Sequence, residues 1–197
     1  MRTIGTKVVE WTLTVYHYIV LALYFWVGIL RGLILYGVTP ACVSAFLTYE
    51  AMKKYDDVDE KYIKQQFFKH YRDYDHYKLL SFLISIGLLL LTALFTFSLA
   101  RGVSLVLVVV IIYFLLLLIG AMSFTFYRLM LTKKAGRVAF AEGFVEMIKE
   151  LKVTVPLVIA VALLLGILYY NAVLFLVVFP AGYAAVVTGL VSRSSQS

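Results

Sequence analysis

The sequence is short of charge, cysteine and proline. Only 15% of its 197 residues are Asp, Glu, Lys or Arg, against about 25% in soluble domains. Its one cysteine, Cys42, cannot close an internal disulfide, so nothing in the chain depends on an oxidising compartment. No Gly-rich loop ends in Lys-Ser/Thr, and no Ser/His/Asp or Cys/His set is placed for nucleophilic attack. His70 and His76 flank Asp73, but a spacing of six residues points two imidazoles about 120° apart on a helix, and no thiolate joins them. The acidic cluster Asp56–Glu60 lacks the glycine and closing glutamate of a calcium loop and reads as a solvated turn. These absences imply no metal, no cofactor and no enzyme. The +7 formal charge invites a nucleic-acid partner, but in so apolar a chain basic membrane-facing loops explain it better.

What the chain has is apolar length. Hydrophobic residues make up 63% of it, at a mean hydropathy of +0.94, more than a soluble core of this size can bury. Several runs reach the roughly 20 residues a helix needs to cross a bilayer, and they are continuous, which excludes a transmembrane β-barrel. The expected fold is an all-α membrane protein in a single domain with about six transmembrane helices. They lie near residues 12–36, 40–54, 79–99, 103–126, 153–169 and 172–191. The second is short and can cross tilted or be re-entrant. The first exceeds the apolar core of a signal peptide and is read as a retained span.

Two charged segments separate the runs. In the first, Ile63, Phe67, Tyr71 and Tyr74 recur at helical spacing; in the second, Phe140, Phe144, Met147 and Leu151 do. Each predicts a cytoplasmic amphipathic helix lying in the interface, over 61–77 and 137–151. Phe67, Tyr71, Phe140 and Phe144 are the candidate contacts to a partner, since exposed aromatics anchor interfaces. With six crossings, 16 of the 18 basic residues fall on one side, which the positive-inside rule makes cytoplasmic. Both termini join them there, Arg101 stays outside and Arg31 lies in the outer part of the first span.

Arg31 is the one basic residue inside an apolar run, where an ionisable group suggests a pathway unless it snorkels. Gly37-Val38-Thr39-Pro40 reads as a turn and fresh helix start, with Thr39 as cap and Pro40 in the first turn. Pro180 sits inside the last run and should kink or restart it. The stretch from Val38 to Thr48 echoes Val178 to Thr188, as in transporters whose repeats meet at broken helices. Arg31, Pro40 and Pro180 are therefore the candidate pore or substrate contacts.

Glu10-Trp11, Phe25-Trp26, the Gly32 to Ala41 turn, Ser44-Ala45 and Phe67-Phe68-Lys69-His70-Tyr71 together resemble the YesL-like family of bacterial membrane proteins. The resemblance covers about the first hundred residues. Cys42 stands where that family usually has Thr, and Thr39 where Gly is frequent. Members have no established activity and are commonly associated with carbohydrate ABC importers. The resemblance thus implies an accessory role in sugar uptake, with the lipid bilayer and importer subunits as partners. The alternative is a small carrier or channel; a polar cavity at mid-membrane distinguishes it from an accessory subunit with a solid centre.

Overall fold

Each long apolar run folds as helix, because in lipid a helix alone satisfies its own backbone. The computed structural model describes residues 4–55 and 58–194, with side chains over 8–55 and 58–192. Arg2, Asp56, Asp57 and the Lys7 and Arg193 side chains, which enter the charge reading, lie outside the described residues. The helices are α1 (Ile4–Arg31), α2 (Val38–Lys54), α3 (Glu60–Tyr74), α4 (Lys78–Ala100), α5 (Leu105–Thr132), α6 (Gly136–Lys149), α7 (Leu151–Tyr170) and α8 (Ala172–Ser194). A single 3-10 turn, Asp75–Tyr77, joins α3 to α4. No strand occurs among the described residues.

Among the described residues, five stretches are long and apolar enough to cross a membrane: Val8–Arg31, Glu60–Ala100, Leu105–Thr132, Leu151–Tyr170 and Ala172–Ser192. Their outward side chains stay uncovered by protein, as in Leu105 at 79% exposed and Val173 at 71%. A chain that leaves so much apolar surface open takes lipid as its solvent. It is an all-α membrane protein.

The sixth run, expected over 40–54, behaves differently. α2 is 17 residues long, and ten of them are buried. α1, α3, α4, α5 and α8 all pack against it, so the short helix is the central post of the bundle rather than one more lipid-facing span. Ala41 and Ala45 keep its surface slim enough for five neighbours to approach.

The path of α2 retraces α1. The Tyr18 and Tyr49 rings lie 5.9 Å apart, while Gly32 and Gly37 touch at the other end, where a Cβ on Gly32 would fall 2.2 Å from the Gly37 Cα. α3 then returns alongside α1. The Tyr16 and Tyr24 hydroxyls donate to the Glu60 carboxylate at 3.1 and 3.2 Å, and the Tyr71 hydroxyl donates to the Gly28 carbonyl at 2.9 Å. Asp59 caps α3, its carboxylate accepting from the Tyr62 N–H at 2.6 Å.

The amphipathic helix expected over 61–77 is present as α3, Glu60–Tyr74. Helical spacing showed that one face of α3 is covered, and what covers it is protein. Ile63, Phe67, Tyr71 and Tyr74 are buried against α1, α2 and α5. α6 packs on α5 through Ala139, Gly143 and Met147; a Cβ on Gly143 would sit 2.7 Å from the Thr125 nitrogen. α4/α5 and α7/α8 form two hairpins with apolar outer faces.

Candidate functional site

The connection between α1 and α2 is the most unusual backbone in the protein. Leu33 and Ile34 both have positive φ, 51° and 66°, a region that costs a β-branched residue strain. Both side chains are exposed. The turn lies beside the middle of α4, where Ile34 and Leu35 share a cavity with Ser85, Leu89 and Thr92. It also lies beside α8, where Ile34 shares another with Leu176.

Irregular backbone among apolar side chains needs partners for its polar groups. Gly32, Leu33 and Ile34 donate their N–H groups to the Gly28, Leu30 and Ile29 carbonyls at the end of α1, and Leu35 and Tyr36 donate to the Leu33 and Gly32 carbonyls of the turn itself. Two serines of α4 complete the set: Ser85 Oγ donates to the Leu35 carbonyl at 3.0 Å, and Ser81 Oγ accepts from the Thr39 N–H at 3.2 Å. That second bond satisfies an amide the first turn of a helix leaves unpaired. In the sequence the signal of this contact is the pair Ser81 and Ser85, one helical turn apart in an otherwise apolar run.

Arg31 closes α1 at the edge of this turn. It shares a cavity of about 240 Å³ with Phe68, Tyr71, Arg72, Asp75 and Lys78. Sequence reading put Arg31 at the opposite end of a span from this charged segment. The structure puts the two together, because α3 runs parallel to α1 and carries its charged end up to Arg31. The second charged segment adjoins the first: Tyr77 Oη donates to the Lys134 carbonyl at 2.6 Å, and Lys133 Nζ lies 3.8 Å from Asp73.

The two prolines do unlike work. Pro40 is the third residue of α2, where a helix has no use for its N–H, and Gly37 rather than Thr39 stands at the cap position. Pro180 lies inside a continuous α8. The Leu176 carbonyl, which Pro180 cannot bond, accepts from Trp26 Nε1–H at 2.7 Å. Neither proline opens a broken helix, so the echo between the two stretches does not produce two like sites.

Phe67 and Tyr71 are buried inside the chain and are not available to a partner. The reason is the parallel course of α3 along α1, which stacks Phe67 near Tyr24 at 6.4 Å. Phe140 and Phe144 are half-buried, packed onto the same core. Near them Arg128 Nε donates to Glu146 at 2.5 Å, pairing a carboxylate whose side chain is only 11% exposed.

The centre around α2 is packed. Tyr183 stacks on Phe179 at 5.5 Å and meets Phe46 at a tilt, 5.4 Å between centroids, and its hydroxyl lies 2.9 Å from Ser123 Oγ. The Cys42 thiol is buried, and Thr39 Oγ1, Ser44 Oγ and Thr48 Oγ1 are buried without a hydrogen-bond partner. A groove at the other end of the bundle runs between Glu10, His17 and Tyr18 of α1 and Tyr49, Met52 and Lys53 of α2. In these cavities α2 appears only at its ends, through Val38, Tyr49, Met52 and Lys53. Among the described residues no three His, Cys, Asp or Glu side chains gather as a metal site.

Residues 18–99 match a family described as a protein of unknown function, DUF624. The matched part holds the second half of α1, all of α2 and α3, and nearly all of α4, so it contains the strained turn, both serines and the Arg31 cavity. The match is compatible with the YesL-like resemblance of the same part and carries no activity with it. No curated protein and no solved structure matches the chain.

Proposed function

We propose that the chain is a non-enzymatic accessory or assembly subunit of a membrane transport system. The packed centre carries this reading. A carrier needs a polar site that substrate can reach, and here the central helix meets its five neighbours through side chains such as Val43, Ser44, Phe46 and Thr48, all 0% exposed. The process is carbohydrate uptake, on the strength of the YesL-like resemblance alone, with ABC importer subunits as the partners that implies.

The same reading fixes a topology. Since α2 retraces α1, this pair adds an even number of crossings or none. Arg31 shares a cavity with Arg72 and Lys78, so the pair turns within the apolar layer and does not cross it. Four crossings remain, α4, α5, α7 and α8, with both ends cytoplasmic. Seventeen of the 18 basic residues then lie inside, and Arg101, in the α4/α5 tip, is the one outside. The membrane is the cytoplasmic membrane of a prokaryote.

Purification from native membranes in mild detergent, followed by mass spectrometry, tests the role. The expected result is permease or ATPase subunits in stoichiometric amounts. Recovery of the chain alone, together with chain-dependent sugar flux in liposomes, would replace this reading with that of a small carrier.

A further inference from the structure

We propose that the Arg31–Arg72 cavity and the groove beside it form a binding site for one anionic phospholipid. The phosphate sits between the two guanidinium groups, and an acyl chain lies along α4. This is independent of the accessory role above.

The cavity holds three basic side chains, Arg31, Arg72 and Lys78, against one acidic, Asp75. Lys78 Nζ pairs with Asp75 at 3.0 Å, while neither Arg31 nor Arg72 is in an ion pair among the described residues. The two come from different helices, α1 and α3, and open into one space. Guanidinium forks match phosphate oxygens with two parallel N–H donors each. At about 240 Å³ the space is below the ~300–1,000 Å³ of sites for drug-sized ligands and takes a compact group.

Depth points to lipid. Arg31 is followed by the exposed apolar turn at Leu33 and Ile34, and Lys78 by the apolar face of α4. The cavity therefore lies where charged surface gives way to lipid-facing surface, the level of phospholipid phosphates. Basic pockets between membrane helices at this level hold anionic headgroups. A second cavity, about 480 Å³, lies along α4 between Ile34, Leu35 and Val38 on one side and Leu88, Leu89 and Thr92 on the other; Ile34 follows Arg31 by three residues and Ser85, also in its lining, follows Lys78 by seven. A polar pocket at Arg31 and Lys78, followed a few residues on along the same chain segments by an apolar groove at Ile34 and Ser85, suits an amphiphile. A soluble phosphate ester shares the headgroup chemistry and leaves the groove unfilled.

Native mass spectrometry of the full chain in detergent tests this, with phosphatidylglycerol, phosphatidylcholine of the same chains, or inorganic phosphate added. One phosphatidylglycerol should be retained at least tenfold over phosphatidylcholine. Retention should fall at least tenfold in the Arg31→Gln/Arg72→Gln variant and persist in Lys133→Gln/Lys134→Gln, which removes equal charge elsewhere. Leu89→Trp, which fills the groove and leaves the arginines intact, should also weaken retention, and it keeps the test decisive if the arginine variant fails to fold. Equal retention of the two lipids overturns the proposal, as does full retention in both the arginine and the Leu89 variants. Displacement of the lipid by inorganic phosphate would reassign the cavity to a soluble phosphate ester.

Discussion

Trp26 Nε1–H donates to the Leu176 carbonyl oxygen at 2.7 Å, across 150 residues of sequence. Pro180, four residues after Leu176, has no N–H to give that carbonyl. Facing lipid, the carbonyl has no water to turn to. The indole thus replaces the missing helical bond, and the proline that looked like a break in α8 becomes a tie between α8 and α1.

Trp26→Phe keeps most of the packing and orphans the carbonyl, at an expected cost of about 1–3 kcal/mol in detergent unfolding. Pro180→Ala returns an N–H to Leu176, so in that background Trp26→Phe should cost distinctly less, with a coupling of about 0.5–3 kcal/mol. The same cost in both backgrounds would mean that the indole bond does not stand in for the proline.

Three glycines should respond to alanine in a fixed order. At Gly143 the new Cβ meets Thr125 backbone atoms at 2.7 and 2.9 Å, which cannot give way without parting α5 from α6, and a loss of about 1–3 kcal/mol follows. At Gly28 it meets the rings of Tyr71 and Phe67 at 3.1 and 3.2 Å, and these can shift, so the loss is smaller. Gly166 has nothing within 4 Å; alanine there gains up to about 1 kcal/mol from helix propensity. Thermal unfolding of the three variants checks the order, and a Gly166 variant less stable than Gly143→Ala would contradict it.

Ile34 should invert the usual ranking of alanine over glycine. Its φ of 66° penalises any Cβ by about 1–2 kcal/mol. Ile34→Gly should therefore unfold at a higher temperature than Ile34→Ala. The reverse order would show that the left-handed turn is not held in the folded protein.

The membrane class and the helical character of each segment were legible from composition and periodicity. Partners were not. Ile63, Phe67, Tyr71 and Tyr74 announce a covered face, but periodicity is the same whether lipid headgroups or α1 and α2 cover it. α2 looked like a short span because Ala41, Val43, Phe46 and Leu47 are as apolar as a lipid-facing run. Its hydroxyls, Thr39, Ser44 and Thr48, hinted at an interior place. That Arg31 shares a cavity with Arg72 and Lys78 was illegible for a related reason: hydropathy counts apolar residues and does not register which helix ends meet. Ser81 and Ser85, which satisfy the backbone around that turn, only become meaningful once α4 is seen beside it.

Whether α1 and α2 turn inside the apolar layer is decided most directly by cysteine accessibility in intact cells. In a Cys42→Ala background, single substitutions Leu33→Cys, Arg72→Cys, Ser104→Cys and Asn171→Cys are exposed to a membrane-impermeant maleimide. Labelling is predicted from outside for Ser104→Cys and Asn171→Cys, only after permeabilisation for Arg72→Cys, and in neither condition for Leu33→Cys. Labelling of Leu33→Cys from outside as readily as Asn171→Cys would mean that α1 crosses completely, and the four-crossing topology would fall.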